Sequence, residues 1–274
     1  MTSGSNGADD PSSIRGSGHH YFTRISAQEF VATPLVQGAW DGTQQHVAPA
    51  FGLIAHAIEV DLGNRRNDGL RIGRVSYDIL GTMPIGTVAI EVVVIRPGRT
   101  VELGEASLLH SGRLVILARA WLMQTFDTER ISGSALPAIP SPKMMPHWDI
   151  TTVWAGACIA SLEARREELS PGRATTWLRT DVSLLDREKT SATAGALAMV
   201  DVANGLAMRI SPDLFAFPNV DLTVHLLRRP TEGWLGFDTT ASYSTDGIGM
   251  THSILHDLNG VLGTVIQAIT VRQR

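Results

Sequence analysis

A handful of polar side chains stand in apolar company, where each must be partnered or put to use. Gln267 falls in the middle of GTVIQAITVR, among Val, Ile and Ala. An amide inside such a strand is costly unless it is hydrogen-bonded. Asp201 lies in AMVDVANGL, an apolar stretch of helical character, where a carboxylate either braces a neighbouring loop or lines a pocket. Asn204-Gly205 just beyond it can end or bend a helix. Asp221 enters the run NVDLTV, and by itself it reads as a turn residue. His46 immediately precedes HVAPAFGL, the place of a capping or surface histidine, with contact to a phosphate group as the sharper alternative. Arg228-Arg229 close a strand-like run and either meet solvent or grip phosphate. Cys158, in TVWAGACIASLEA, reads as a buried thiol of structural use.

These residues sit in a chain of 274 residues with 43% hydrophobic and 18% charged content and a net charge of -4. That is ample for one large core or two ordinary ones, and low enough in charge to imply an extensive interface. The pairs Arg65-Arg66, Arg165-Arg166 and Arg228-Arg229 are isolated, so the basic face that nucleic-acid binding requires is missing. One cysteine excludes an internal disulfide and a cysteine-based metal site. His19-His20 and His147 fall in a tail and a linker and point to no metal. The opening MTSGSNGADDPSSIRGSG carries no apolar stretch of signal-peptide length and reads as a disordered tail over 1–20. No segment approaches the ~18 apolar residues of a membrane span. The expectation is a cytoplasmic protein without cofactor.

The elements that would position these groups repeat. The first half offers an apolar helix over 46–63, a strand over 71–80, and three more strands: IGTVAIEVVVIRPG, TVELGEASLLHSG and RLVILARAWLMQ. The second half offers SATAGALAMVDVANGLAMRI over 191–210, then NVDLTVHLLRRP, GWLGFDTTASYS, DGIGMTHSILHDLNG and GVLGTVIQAITVRQ. SLLHSG over 107–112 falls over SILHDLNG over 253–260, each a strand running into a glycine turn. A helix apolar on nearly every side must be covered on every side. One such helix per antiparallel sheet predicts an α+β double hotdog, with two long central helices wrapped by one continuous antiparallel sheet. The boundaries are 21–133 for the N-terminal hotdog, 134–150 for a proline-rich linker and 151–274 for the C-terminal hotdog. A lone half would expose a sheet edge, so fusion and further pairing into a homodimer or tetramer are expected.

With these stretches in order, the chain resembles the acyl-CoA thioesterase II family, in particular its actinobacterial thioesterase-like branch. The resemblance is carried by GAWDGTQQHVAPAFGLIAHAIE, VVIRPGRTVELGEASLLHSGRLVILARAWLM, ATTWLRTDVSLL, LAMVDVANGL and the stretch from NVDLTV to ITVR. It spans about residues 22–272. It implies hydrolysis of an acyl-CoA thioester to free acid and CoA by direct water attack, with the water held by an Asp, a Thr and a Gln of the C-terminal half. On this sequence the matching positions are Asp221, Ser242 and Gln267, with Thr240 and Ser244 beside Ser242 at period two. Ser242 keeps the hydroxyl of the family's Thr and loses the methyl that fixes its rotamer.

In that scheme Asp221 takes the proton of the water, and Ser242 and Gln267 orient it. Backbone N–H groups of Thr193, Ala194 and Gly195, at the positive end of the second helix, would meet the oxyanion. Arg228 and Arg229 would meet the CoA phosphates. Arg74 and Arg119 occupy the repeat-equivalent places of Asp221 and Gln267, so the chemistry belongs to the second half, at one site per chain. Three alternatives remain: a non-catalytic acyl-CoA binding or assembly protein, a hotdog hydratase, and an acyltransferase. A hydratase would pair Asp with His on or near the hotdog helix, and one helical turn beyond Asp201 the sequence offers Asn204 and Leu206 instead.

Overall fold

A computed structural model describes residues 19–274. The expected tail therefore falls outside the described residues up to 18, and His20 already opens a strand. The elements in chain order are β1 (His20–Arg24), β2 (Glu29–Ala32), α1 (Val47–Arg65), β3 (Arg71–Ile79), β4 (Thr87–Arg96), β5 (Val101–His110) and β6 (Arg113–Met123). There follow β7 (His147–Trp148), the single turn α2 (Ala157–Ala160), β8 (Leu162–Ser170), β9 (Arg173–Thr180), β10 (Ser183–Leu185) and α3 (Ala192–Leu197). The chain ends with β11 (Phe215–Ala216), β12 (Asp221–Leu226), β13 (Leu235–Tyr243), β14 (Ile248–Asp257), β15 (Gly260–Thr270) and β16 (Arg272–Gln273).

Among the described residues, fourteen strands form one sheet in the order β10-β1-β2-β4-β5-β6-β3-β12-β15-β14-β13-β9-β8-β7. The two halves mirror each other about the antiparallel β3–β12 seam, where Val75 stands opposite Val224. Every pairing in this sheet is antiparallel except β1 with β10. The linker does more than join the halves. It lies over the outer face of the second one, where the Trp177 indole N–H donates to the Pro140 carbonyl and the His256 ring meets the Pro137 carbonyl.

Helix α1 is central as expected. The His46 ring caps its first turn, where Pro49 lacks the N–H that would need an intrahelical partner. Phe51, Leu53, Ile54 and Ile58 are fully buried, each contributing roughly 2 kcal/mol by apolar transfer. Gly52 lets the helices touch: a Cβ there would come within 2.6 Å of both the Ala194 carbonyl and the Ala198 side chain.

The second helix departs from expectation. It is not a long rod within 191–210 but the short α3 followed by a 3-10 segment, Val200–Gly205. Two β-branched residues weaken the α-helix there, and the Asp201 carbonyl is taken by the Gln267 side chain. Asn204 reaches out to the Phe217 carbonyl. The break carries Asp201 out of a helical ladder and into a polar setting.

Candidate active site

Parity along β15 decides where its polar side chains go. Val265, Gln267 and Ile269 are buried and face the helices, while Ile266, Ala268 and Thr270 face outward. Gln267 is 1% exposed. Its Nε2 donates to the backbone carbonyl of Asp201 at 3.1 Å, and its Oε1 is buried without a protein partner. Thr251, its register partner on β14, also buries an unpartnered hydroxyl.

Asp201 is held at two points. Its carbonyl is fixed by Gln267, and its Oδ1 accepts from the Asn219 amide at 2.7 Å. Its Oδ2 lies 3.6 Å from Nδ1 of His46, beyond hydrogen-bond reach. That Nδ1 accepts from the backbone N–H of Ala48 at 3.2 Å, so the neutral imidazole carries its proton on Nε2. Asp201, His46, Asn204 and Asn219 line a cavity of about 320 Å³ together with Trp40 and the segment 79–82. The two halves build this cavity jointly, and α1 points its positive N-terminal end at it.

Burial sets the charges. It raises the Asp201 carboxyl above its ordinary value, against the opposing pull of nearby His46 and the Asn219 hydrogen bond. It likewise pushes the His46 imidazole down, with Asp201 opposing. The site thus holds a neutral imidazole beside a carboxyl of increased basicity, which suits it to accept a proton.

The sequence pattern of the acyl-CoA thioesterase C-terminal domain matches residues 132–271, and that of the N-terminal domain matches residues 36–123. The chain belongs to the acyl-CoA thioesterase family. Its fold is that of hotdog proteins in three solved structures. A candidate thioesterase from Novosphingobium aromaticivorans superposes with a TM-score of 0.71 at 19% identity, covering 91% of this chain and 98% of that one. A hotdog protein of unknown function from Alicyclobacillus acidocaldarius gives 0.71 at 14%, covering 92% and 95%. An acyl-CoA thioesterase II from Mycobacterium marinum gives 0.65 at 13%, covering 92% and 96%. No curated protein matches the chain.

Of the three residues the family resemblance indicates for the water, the structure brings only Gln267 to this site. Asp221 faces the outer side of the sheet with Thr223 and His225, while Leu222 and Val224 point inward. Its Oδ1 accepts from the Ala268 N–H at 2.6 Å, which pins the start of β12 to β15. Ser242 is exposed on the same outer face. Thr240 bonds the His252 carbonyl from there, and Ser244 bonds Asp246 in the following turn. The cause is the period of two, since a position displaced by one residue lies across the sheet. Arg119 also points outward, paired with Glu105.

Two of the three expected oxyanion donors are otherwise engaged. The Ala194 N–H donates to the Ser191 hydroxyl and the Gly195 N–H to the Ser191 carbonyl, while Thr193 is buried. This turn lies by a different cavity, of about 270 Å³, which Asp201 does not line. Arg228 is clamped in two 2.6 Å bonds to Asp257 and also holds the Gly260 and Val261 carbonyls, so it is no free phosphate ligand. Arg229 is exposed beside it. Sequence reasoning singled out Asp201 and His46 as unusual without joining them, and it passed over Asn219. The signal for Asn219 was an amide directly after Pro218 and two residues before a polar-outward strand.

Proposed function

We propose that this chain hydrolyses an acyl-CoA thioester at one site per chain, with Asp201 as the general base. One observation carries the reading: Asp201 has its carbonyl and Oδ1 anchored by Gln267 and Asn219, leaving Oδ2 toward the cavity that the two halves share. A water beside Oδ2 gives up its proton to the carboxylate and attacks the thioester carbonyl carbon. The tetrahedral oxyanion develops beside the positive end of α1, whose Val47 lines the cavity, and its collapse expels the CoA thiolate, a leaving group whose thiol pKa of ~8.5 needs little acid assistance. Release of free thiol from acyl-CoA, lost in Asp201→Asn, tests the reading. A wild type that binds acyl-CoA and frees no thiol would make this a binding protein.

A second reading rests on His46. An Asp and a His 3.6 Å apart, contributed by different halves, could also move protons in hydration of an enoyl thioester. His46 of the other half thus stands in for the histidine that the sequence does not offer one helical turn beyond Asp201. Against this, the cap bond to Ala48 occupies the nitrogen that faces Asp201. Enoyl absorbance followed beside thiol release separates the two reactions.

The homodimer or tetramer expected from the sequence belongs to the same proposal. Exposed Ile248, Met250 and Ile266 on the outer face of the sheet support it, and sedimentation measures it.

A further inference from the structure

The space behind the candidate base ends in tryptophan. Beyond the cavity of about 320 Å³ lies a void of about 20 Å³ against Ile150, Ile159, Val202 and Trp154. Ala39, Trp40, His46 and Asn204 touch both spaces and form the partition between them. Trp154 is fixed as the floor. It is 6% exposed, its indole N–H donates to the Gly205 carbonyl at 3.1 Å, and a Cβ on Gly205 would sit 3.0 Å from the ring. Trp40 is more open to solvent, with the Arg274 guanidinium over its ring at 5.1 Å. It is 38% exposed and touches Trp154 and Phe217 edge-on at centroid distances of 5.0 and 5.6 Å. Edge contacts of this kind are weak enough to be remade when a ring turns.

We infer that Trp40 and Trp154 limit the acyl group to a short chain, Trp40 as the partition and Trp154 as the floor. This rests on the thioesterase reading above. The thioester, the attacking water and the end of the pantetheine arm share the cavity with the acyl group, and Trp40 stands where its first carbons end. A longer tail meets the Trp40 ring, and removing that ring joins the small apolar void to the cavity.

The test compares acyl-CoA substrates from acetyl to palmitoyl in wild type, Trp40→Ala and Trp154→Phe, together with binding of S-butyl-CoA and S-dodecyl-CoA thioethers by calorimetry. Wild type should turn over butyryl- or hexanoyl-CoA best and bind the butyl thioether more tightly than the dodecyl. Trp40→Ala, a change at a half-exposed loop position, should raise the lauroyl-to-butyryl ratio of kcat/KM at least ~10-fold, about the worth of one methylene in an apolar pocket. Trp154→Phe should extend the range by less. A wild type that prefers palmitoyl-CoA, or a Trp40→Ala profile identical to wild type, overturns the inference and leaves the thioesterase reading standing. If no substrate releases thiol, the thioesterase reading fails, and the thioether affinities still decide the chain-length limit. Equal affinity for both thioethers would refute it.

Discussion

Gln267 and Asp221 hold neighbouring points of one strand from opposite faces of the sheet. Gln267 reaches inward to the Asp201 carbonyl, and Asp221 reaches across the outer face to the N–H of Ala268. The pleat therefore divides two carboxylates, one fastening a strand end and one opening on a cavity. Substitution separates them. Asp201→Asn keeps shape and the bond from Asn219 while removing the proton acceptor, so thioester hydrolysis should fall on the order of 10²–10⁴-fold. Asp221→Ala should keep turnover within about threefold and cost about 1 kcal/mol of stability, the usual worth of one hydrogen bond. Thiol release and thermal melts on both variants check this, and the opposite ranking would return the base to Asp221.

The same burial that makes Asp201 basic makes it a burden on the fold. Its carboxyl is raised in the folded state, so the folded chain binds a proton more tightly than the unfolded chain. Its contribution to stability is therefore full below the unfolded value and declines as pH rises through the folded one. Asp201→Asn should melt at or above the wild-type temperature at pH 7, with the gap closing in acid. A variant melting well below wild type at pH 7 would mean that the carboxylate is needed structurally.

How far the sequence led can be traced in particular residues. The alternation in DLTVHL already sets Asp221, Thr223 and His225 on one face and Leu222, Val224 and Leu226 on the other. In VIQAI it sets Gln267 with the apolar Val265 and Ile269. The two residues could thus have been assigned to opposite faces by period alone, and the family match overrode that signal. The central position of α1 was equally legible, because its side chains are apolar all round. The broken second helix was not, because the competing acceptor for its backbone is a side chain on a distant strand. Nor was the meeting of His46 with Asp201, which depends on how the two helices cross at Gly52.

Arg228 and Asp257 form a second pair whose purpose is mechanical. Burial pushes the Asp257 carboxyl up, yet the Arg228 guanidinium and the N–H groups of Thr231 and Asn259 hold it at about 2. Since it is lowered, its stabilising contribution is present at neutral pH and is lost only as pH falls toward that value. Arg228→Ala leaves the buried carboxylate without its cation and should cost about 2 kcal/mol, less than a fully enclosed pair because Arg228 is partly solvated. The KM ratio between an acyl-CoA and its pantetheine thioester should stay unchanged. A selective rise for the CoA ester would restore Arg228 as a phosphate contact.

The acid limb of the rate profile should report Asp201. Hydrolysis needs its carboxylate form, so kcat/KM should rise with pH along a limb displaced above the ordinary ~3.9 of an aspartate. Replacement by Asn should remove the limb together with the activity. An acid limb at the ordinary aspartate value would place the base in a solvated setting, away from this cavity.

His46 decides between the two reactions the site can support. Asn is among the best helix caps, so His46→Asn keeps an acceptor for the Ala48 N–H and removes only the imidazole. If water attack on a thioester needs Asp201 alone for its proton, this variant should retain hydrolysis within about tenfold, because the leaving thiolate asks for no acid. If the pair instead works as base and acid on an enoyl thioester, losing the imidazole removes one of two required proton carriers, and turnover should fall on the order of 10²–10⁴-fold. His46→Ala serves as the control for the cap, since it removes both functions and should add a stability loss of about 1 kcal/mol that Asn avoids. Thiol release and enoyl absorbance measured on these two variants and wild type assign the chemistry. Undiminished thiol release in His46→Asn, with no change in enoyl absorbance for any of the three, leaves hydrolysis through Asp201 as the reaction of this site.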